Sequence, residues 1–138
     1  MTDDQLPDRL PDRLPPDPAS DDAYALFQRG QSLLAENHWA QAAVSLEKAK
    51  RLEPDKTSIR EALGRAYFRS GHYQRAATEF SAVVERSPAN DYAHFCLGRS
   101  FEKLGDRTNA KRHLSLAFGM RPDRNDYRIY RDRVRNSS

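Results

Sequence analysis

The pattern of hydrophobic positions along this chain repeats every 34 residues. Four series of apolar or small residues keep that interval: Leu46, Phe80 and Leu114; Ala49, Val83 and Ala117; Ala42, Ala76 and Ala110; and Gly30, Gly64 and Gly98. Prolines keep the same interval at Pro54, Pro88 and Pro122. Independent series with one common interval indicate a repeat architecture, in which each unit buries its apolar face against the next.

Each unit of this repeat is predicted to contain two helices joined by a short turn. The glycine series lies on the first helix of the unit and the Ala42 series on the second. A glycine inside a helix costs about 1 kcal/mol relative to alanine, so its recurrence predicts a close approach between the paired helices. Gly71 and Gly105 follow first helices, where a left-handed C-cap is favoured. The prolines then end the second helices.

The segment after the third proline is predicted to form one more helix. Tyr127, Tyr130 and Val134 are spaced i, i+3 and i+7, which places them on one apolar stripe. A terminal unit has no following unit to cover its open face. We therefore interpret residues 125–138 as a capping helix.

The repeat resembles the tetratricopeptide repeat, a helix-turn-helix unit of the same length. The second unit carries the fullest match, at Leu63, Gly64, Tyr67, Gly71, Tyr73, Ala76, Phe80 and Pro88. The resemblance implies three consecutive units, over residues 23–56, 57–90 and 91–124, followed by the capping helix. The expected fold class is therefore all-α, with seven helices coiled into a right-handed superhelical solenoid.

Residues 1–22 differ from the repeats in composition and charge. The proline-rich stretch "LPDRLPDRLPPDP" lacks many backbone donors and favours extended conformations, so we expect a disordered tail of polyproline II character. Seven aspartates against two arginines give this tail a net charge of −5, although the whole chain carries +3. The remainder is therefore basic. Ser20, Asp21 and Asp22 provide an N-cap for a first helix that starts at Ala23.

The sequence carries no motif for catalysis, metal binding or a cofactor. No two of His38, His72, His94 and His113 have the i, i+4 spacing of a helical zinc site. The single cysteine, Cys96, cannot form an internal disulfide or a cysteine-based metal site by itself. Phosphate-binding glycine loops and nucleophile elbows are also missing. We expect no enzymatic activity, no metal and no cofactor.

Hydropathy predicts a cytoplasmic protein without membrane contact. Charged residues make up 31% of the chain and the mean hydropathy is −0.91. No stretch approaches the roughly 18 apolar residues of a membrane span. The N-terminus lacks the basic start and the apolar run of a signal peptide.

The resemblance implies a binding surface on the concave groove that the first helices line. The expected lining residues are Tyr24, Phe27, Gln31 and Leu34 from the first unit; Glu61, Arg65, Phe68 and Arg69 from the second; and Tyr92, Phe95, Arg99, Glu102 and Lys103 from the third. Aromatic and arginine residues contribute most of the binding energy at interfaces. The alternative is that about half of these side chains pack against neighbouring helices or the tail.

The sequence shows whether this chain has the ligand-binding residues of the chaperone-binding subtype of the family. Chaperone-binding members grip a C-terminal carboxylate with lysines, an arginine and asparagines on the first helices. The matching places of this chain hold Phe27, Gln31, Ala62, Tyr92 and Cys96, none of which is charged. We therefore do not expect a chaperone-tail ligand.

The leading hypothesis is a protein-protein interaction or adaptor module that binds a partner's peptide segment with apolar anchors and acidic residues. The anchors would contact Phe27, Phe68, Tyr92 and Phe95, and the acidic groups would contact Arg65, Arg69, Arg99 and Lys103. The alternative is an RNA- or ribosome-associated protein, because 18 of the 23 basic residues are arginine. Nucleic acid is the weaker hypothesis, since the sequence lacks a regular row of base-reading side chains.

The charge asymmetry adds a hypothesis about the tail. Leu6, Leu10 and Leu14 alternate with aspartates and complement a basic, apolar groove. Residues 6–18 are therefore predicted to dock in the groove of their own or a neighbouring chain and to compete with the partner. The alternative is a solubilising tail that touches nothing.

Overall fold

The computed structural model describes residue 6 and residues 22–137, and within these residues all regular secondary structure is helical. Seven helices are described: Ala23–Ala35 (α1), Trp39–Leu52 (α2), Thr57–Arg69 (α3), Tyr73–Arg86 (α4), Asp91–Lys103 (α5), Arg107–Met120 (α6) and Asn125–Asn136 (α7). Each helix packs mainly against the helices before and after it in the chain. The first helices α1, α3 and α5 also contact one another in that order, so they form one layer. The predicted all-α solenoid is confirmed.

Each helix pair is closed by a glycine that faces a large apolar side chain. A Cβ atom placed on the glycine would lie within 2.5 to 2.8 Å of that side chain, closer than real Cβ contacts allow. The pairs are Gly30 with Leu46, Gly64 with Phe80, and Gly98 with Leu114. All three large partners are wholly buried. The predicted close approach of paired helices is therefore confirmed, and it explains the glycine series.

The turns between paired helices each contain one residue in the left-handed region. Gly71 and Gly105 have φ angles of 83° and 81°, which confirms the predicted C-caps. Asn37 occupies the same place in the first pair with a φ of 65°. Asparagine is one of the few other residues that tolerate this conformation. The Asn37 turn was not predicted because the first unit has no glycine at this position.

The two ends of the solenoid also match the sequence pattern. Asp22 caps α1, since its carboxylate accepts a hydrogen bond of 2.7 Å from the backbone N–H of Ala25. Ser20 and Asp21 lie outside the described residues. At the other end, the stripe of Tyr127, Tyr130 and Val134 on α7 is buried, as predicted for a capping helix.

A buried carboxylate ties the first two helix pairs together. Glu79 on α4 is only 4% exposed. It accepts hydrogen bonds from Lys50 Nζ on α2 at 2.9 Å and from Arg60 Nη1 on α3 at 3.0 Å. A charge buried this deeply requires such partners. Glu79 therefore stabilises the packing of α2 and α3 against α4.

The described helices are all too short and too polar for a bilayer crossing. The longest of them has 14 residues, whereas a membrane-spanning helix needs about 20 predominantly apolar ones.

Candidate functional site

The predicted groove residues lie together on α1, α3 and α5, and none of them is highly exposed. Five are buried, namely Leu34, Phe68, Tyr92, Phe95 and Arg99. The other eight are half-buried: Tyr24, Phe27, Gln31, Glu61, Arg65, Arg69, Glu102 and Lys103. The half-buried set is the part of this surface that a ligand can reach without moving the helices.

Phe95 is enclosed by the capping helix. Its ring stacks on Tyr127 with the ring centroids 4.6 Å apart, and it meets Tyr130 edge-on at 5.7 Å. Offset stacked and edge-to-face contacts are the favourable geometries for aromatic pairs. Phe95 therefore holds α7 in place, in agreement with the alternative that some groove residues pack against neighbouring helices.

Arg99 is also built into the fold, although the sequence analysis assigned it to acidic ligand groups. Its side chain is 0% exposed, and its Nη1 atom lies 2.5 Å from Glu102 Oε1. Its guanidinium lies 4.2 Å from the ring centre of Tyr130. The other oxygen of Glu102 accepts from Arg133 Nη2 at 2.8 Å. Glu102 thus links α5 to α7 and already neutralises Arg99.

Three cations of the groove remain half-buried: Arg65, Arg69 and Lys103. The i, i+4 spacing of the two arginines puts them on one face of α3, and Lys103 is the repeat equivalent of Arg69 on α5. The guanidinium of Arg69 lies 4.0 Å from the ring centre of Trp39, and Lys103 Nζ lies 5.9 Å from that of Tyr73. Such cation-π contacts orient a cationic side chain over the ring.

Tyr92 is a buried tyrosine in the electrostatic neighbourhood of Arg65. Burial raises the pKa of Tyr92 well above its ordinary value, and the nearby Cys96 and Glu61 raise it further, whereas Arg65 lowers it. The phenol is therefore protonated at any physiological pH. Tyr92 and Phe68 both belong to the main hydrophobic cluster and are both buried.

A cavity of about 390 Å³ lies between α1 and the start of α3. Its walls include the predicted groove residues Tyr24 and Phe27, together with Gln28 and Lys56. Gln28 is 4% exposed, and its Nε2 atom has no hydrogen-bond partner among the residues that the structure describes. A buried amide donor of this kind is suited to a ligand oxygen. Gln28 was not predicted as a site residue, although the equivalent positions of the other units hold alanine and cysteine.

A histidine pair between α5 and α6 was also missed. The Nδ1 atoms of His94 and His113 are 3.0 Å apart, and the rings are stacked. His94 Nε2 donates to the carbonyl oxygen of Pro88 at 2.8 Å, so His113 Nδ1 must donate to His94. Within residue 6 and residues 22–137, no three histidine, cysteine or acidic side chains are grouped as metal ligands. The pair is therefore explained as a hydrogen bond within the fold.

This histidine pair predicts an acid-sensitive fold. Burial, followed by the electrostatic effects of His94 and Arg112, lowers the pKa of His113 to about 4. Because the unfolded chain takes up the proton near pH 6.5, stability is complete above that pH and is lost as the pH falls towards 4. Allowing for the solvent that reaches this half-buried ring, the loss is about 1 to 2 kcal/mol.

The measurement is urea unfolding between pH 7 and pH 4.5, with His113→Asn as the matched variant. Asparagine keeps a donor near the position of Nδ1 but does not titrate, so the difference in stability between the two proteins should shrink as the pH falls. A difference that stays constant over this range would contradict the assignment.

Comparison of the sequence with protein-family models agrees with the helical repeat seen in the structure. Residues 27–91 and 61–124 match the family model of the tetratricopeptide repeat. A similar curated protein is the TPR repeat-containing thioredoxin TTL4 of Arabidopsis thaliana, which is 28% identical over 105 residues. The alignment covers 76% of this chain but only 15% of that protein.

Solved structures with the same fold include several tetratricopeptide-repeat domains. The first TPR of Spaghetti (RPAP3), bound to the HSP90 peptide SRMEEVD, has a TM-score of 0.79 at 16% identity, covering 84% of this chain and 92% of that one. The Arabidopsis OM64 TPR domain has a TM-score of 0.80 at 16% identity, covering 84% and 96%. MamA 41-end from Desulfovibrio magneticus RS-1 has a TM-score of 0.80 at 20% identity, covering 83% and 64%. At identities this low, the structural similarity shows only a common fold. The family model, however, matches most of the helical region, and this match shows that the chain belongs to the tetratricopeptide-repeat family.

Proposed function

We propose that this chain is a non-enzymatic adaptor module that binds a peptide segment of a partner protein in the groove of α1, α3 and α5. Tetratricopeptide-repeat domains are protein-interaction modules, and a domain of the same fold has been solved with a bound peptide. The observation that carries the proposal is the row of half-buried cations, Arg65, Arg69 and Lys103, beside apolar side chains of the same helices.

The chemistry of this surface favours a peptide with acidic and large apolar residues. Arginines bind carboxylates through two parallel hydrogen bonds, so Arg65 and Arg69 would select aspartate or glutamate. Phe27 and Tyr24 are half-buried aromatic residues of α1 and would offer apolar contact for an anchor side chain. The amide of Gln28 would donate to a backbone carbonyl of the ligand.

The proposed ligand differs from the peptide in the Spaghetti (RPAP3) complex. Ala62, Tyr92 and Cys96 stand where chaperone-binding domains would need charged or amide groups, and all three side chains are buried. A C-terminal carboxylate would therefore find no clamp at these positions. The acidic residues of the ligand are instead expected within the segment that faces α3 and α5.

The test is selection of random peptides displayed on phage with the full-length chain, followed by affinity measurements on the selected peptides. The double variant Arg65→Glu, Lys103→Glu should bind them at least tenfold more weakly, because it removes charge-assisted bonds and adds repulsion. The matched control is Lys48→Glu, Lys111→Glu, which changes the net charge equally at exposed positions on the second helices α2 and α6.

Two outcomes would contradict the proposal: selected peptides without acidic residues, or an equal loss of affinity in both double variants. Circular dichroism verifies that both variants stay helical. Arg99 is unsuitable for this test, since a glutamate there would be buried beside Glu102 and would disturb the fold.

A further inference from the structure

The starting observation is a buried leucine that belongs to none of the seven helices. Leu6 is only 7% exposed and is part of the same hydrophobic cluster as Leu34, Phe68, Tyr92 and Phe95. These four cluster members lie on first helices, and the cluster also includes residues of the second helices and of α7. Leu6 is described, whereas residues 7–18 of the predicted docking segment lie outside the described residues.

The distribution of exposed apolar side chains indicates which face Leu6 covers. Among the described residues, the exposed large hydrophobics are on second helices, in a turn or on α7: Val44, Leu52, Leu104, Leu116, Met120 and Ile129. The spaces inside the helix pairs are filled by the residues that face the glycines. The groove formed by α1, α3 and α5 carries apolar residues that belong to the same cluster as Leu6.

The burial of α5 points to the same face. Every residue from Tyr92 to Ser100 is buried, which covers more than two helical turns and therefore all sides of the helix. The helices α4 and α6 contact α5 extensively, and α7 covers Phe95 and Arg99. Tyr92 is 3% exposed and belongs to the same hydrophobic cluster as Leu6, so apolar cover from Leu6 is consistent with its burial.

Charge favours the same placement. The sequence around Leu6 contains Asp3, Asp4 and Asp8. The groove carries half-buried cations on α3 and α5. This segment has the composition that the proposed function assigns to a ligand, an apolar anchor with acidic neighbours.

We propose that Leu6 is an internal ligand of the groove, and that it occupies the place of a partner's apolar anchor. If the proposed function is correct, the N-terminal segment competes with the partner peptide for the groove, and this consequence rests on the proposed function. A tethered ligand acts at a local concentration on the order of millimolar, so a weak contact is sufficient. Opening this contact should tighten the binding of an external peptide about tenfold.

The test compares amide chemical shifts in the full-length chain and in three variants. Leu6→Asp should shift the groove amides of Phe68, Tyr92 and Lys103, because it replaces a buried apolar side chain with a charge. Leu6→Met should leave them close to their original positions. Thr2→Asp adds the same charge without removing an apolar group, and should also leave them in place.

A synthetic peptide of residues 1–12 then serves as the probe. Added to the Leu6→Asp chain, it should return the groove amides to their original positions, and it should bind the unaltered chain about tenfold more weakly. Groove amide shifts that are the same in the Leu6→Asp variant and in the unaltered chain would overturn the proposal. Shifts that depend on protein concentration would assign the contact to a second copy and overturn it as well.

These measurements separate the inference from the proposed function. If Leu6→Asp moves the groove amides but no acidic phage peptide is selected, the internal contact stands and the proposed partner class fails. If phage peptides bind in the groove but Leu6→Asp changes nothing, the internal contact fails alone.

Discussion

Replacing Gly98 with valine is expected to destabilise the chain by about 3 kcal/mol, the cost of overpacking a closed interface. A Cβ on Gly98 would lie 2.7 Å from Leu114 Cγ and 3.0 Å from the backbone nitrogen of Leu114. A side chain can rotate away, but the backbone of α6 cannot move without separating the helix pair. Leu114 is also fully buried, so it has no free space to enter.

Gly119→Ala is the matched control for this effect. Gly119 also lies in a helix, but a Cβ there meets no atom within 4 Å. Alanine should therefore be neutral or stabilise the chain by up to about 1 kcal/mol through its helix propensity. Urea unfolding followed by circular dichroism measures both variants. A tolerated Gly98→Val would show that close helix approach is not the reason for the glycine series.

Replacing Tyr127 with alanine is expected to cost about 3 to 5 kcal/mol, as for other fully buried aromatic residues. Its ring stacks on Phe95 at 4.6 Å and lies 4.6 Å from the guanidinium of Arg124. Its hydroxyl donates to Asp91 Oδ2 at 2.7 Å. The substitution should detach α7 and expose the apolar end of α5, which then favours association between chains.

Tyr127→Phe separates the ring from the hydroxyl. It keeps the stacking on Phe95 and removes only the hydrogen bond to Asp91, so the loss should be about 1 kcal/mol. Urea unfolding gives the stability of both variants, and amide hydrogen exchange along α7 reports its detachment. If phenylalanine costs as much as alanine, the hydrogen bond and not the ring holds the capping helix.

The capping helix has a second consequence for the groove. Glu102 pairs with both Arg99 and Arg133, so these charges are already neutralised within the fold. Under the proposed function, Arg65, Arg69 and Lys103 would therefore supply the electrostatic selectivity of the site. A partner that approaches the end of the groove would contact α7 as well as α5.

The repeat and the residues that end its helices could be predicted from the sequence, because they depend on local or periodic features. A helix sets which residues share a face, so the glycine, alanine and proline series sufficed to predict paired helices. Left-handed caps at Gly71 and Gly105 follow from the backbone freedom of glycine. The apolar stripe of α7 was visible for the same reason, since its spacing matches a helical period.

The tertiary structure decided what lies opposite each face. The family resemblance assigned Phe95 and Arg99 to the groove, but their enclosure depends on how α7 crosses α5. The contact between His94 and His113 depends on the register of α5 against α6, which no local signal encodes. The burial of Leu6 likewise depends on a contact with helices distant in the chain. The sequence by itself therefore determined the helices and their faces, whereas packing between helices decided which candidate residues remain accessible to a partner.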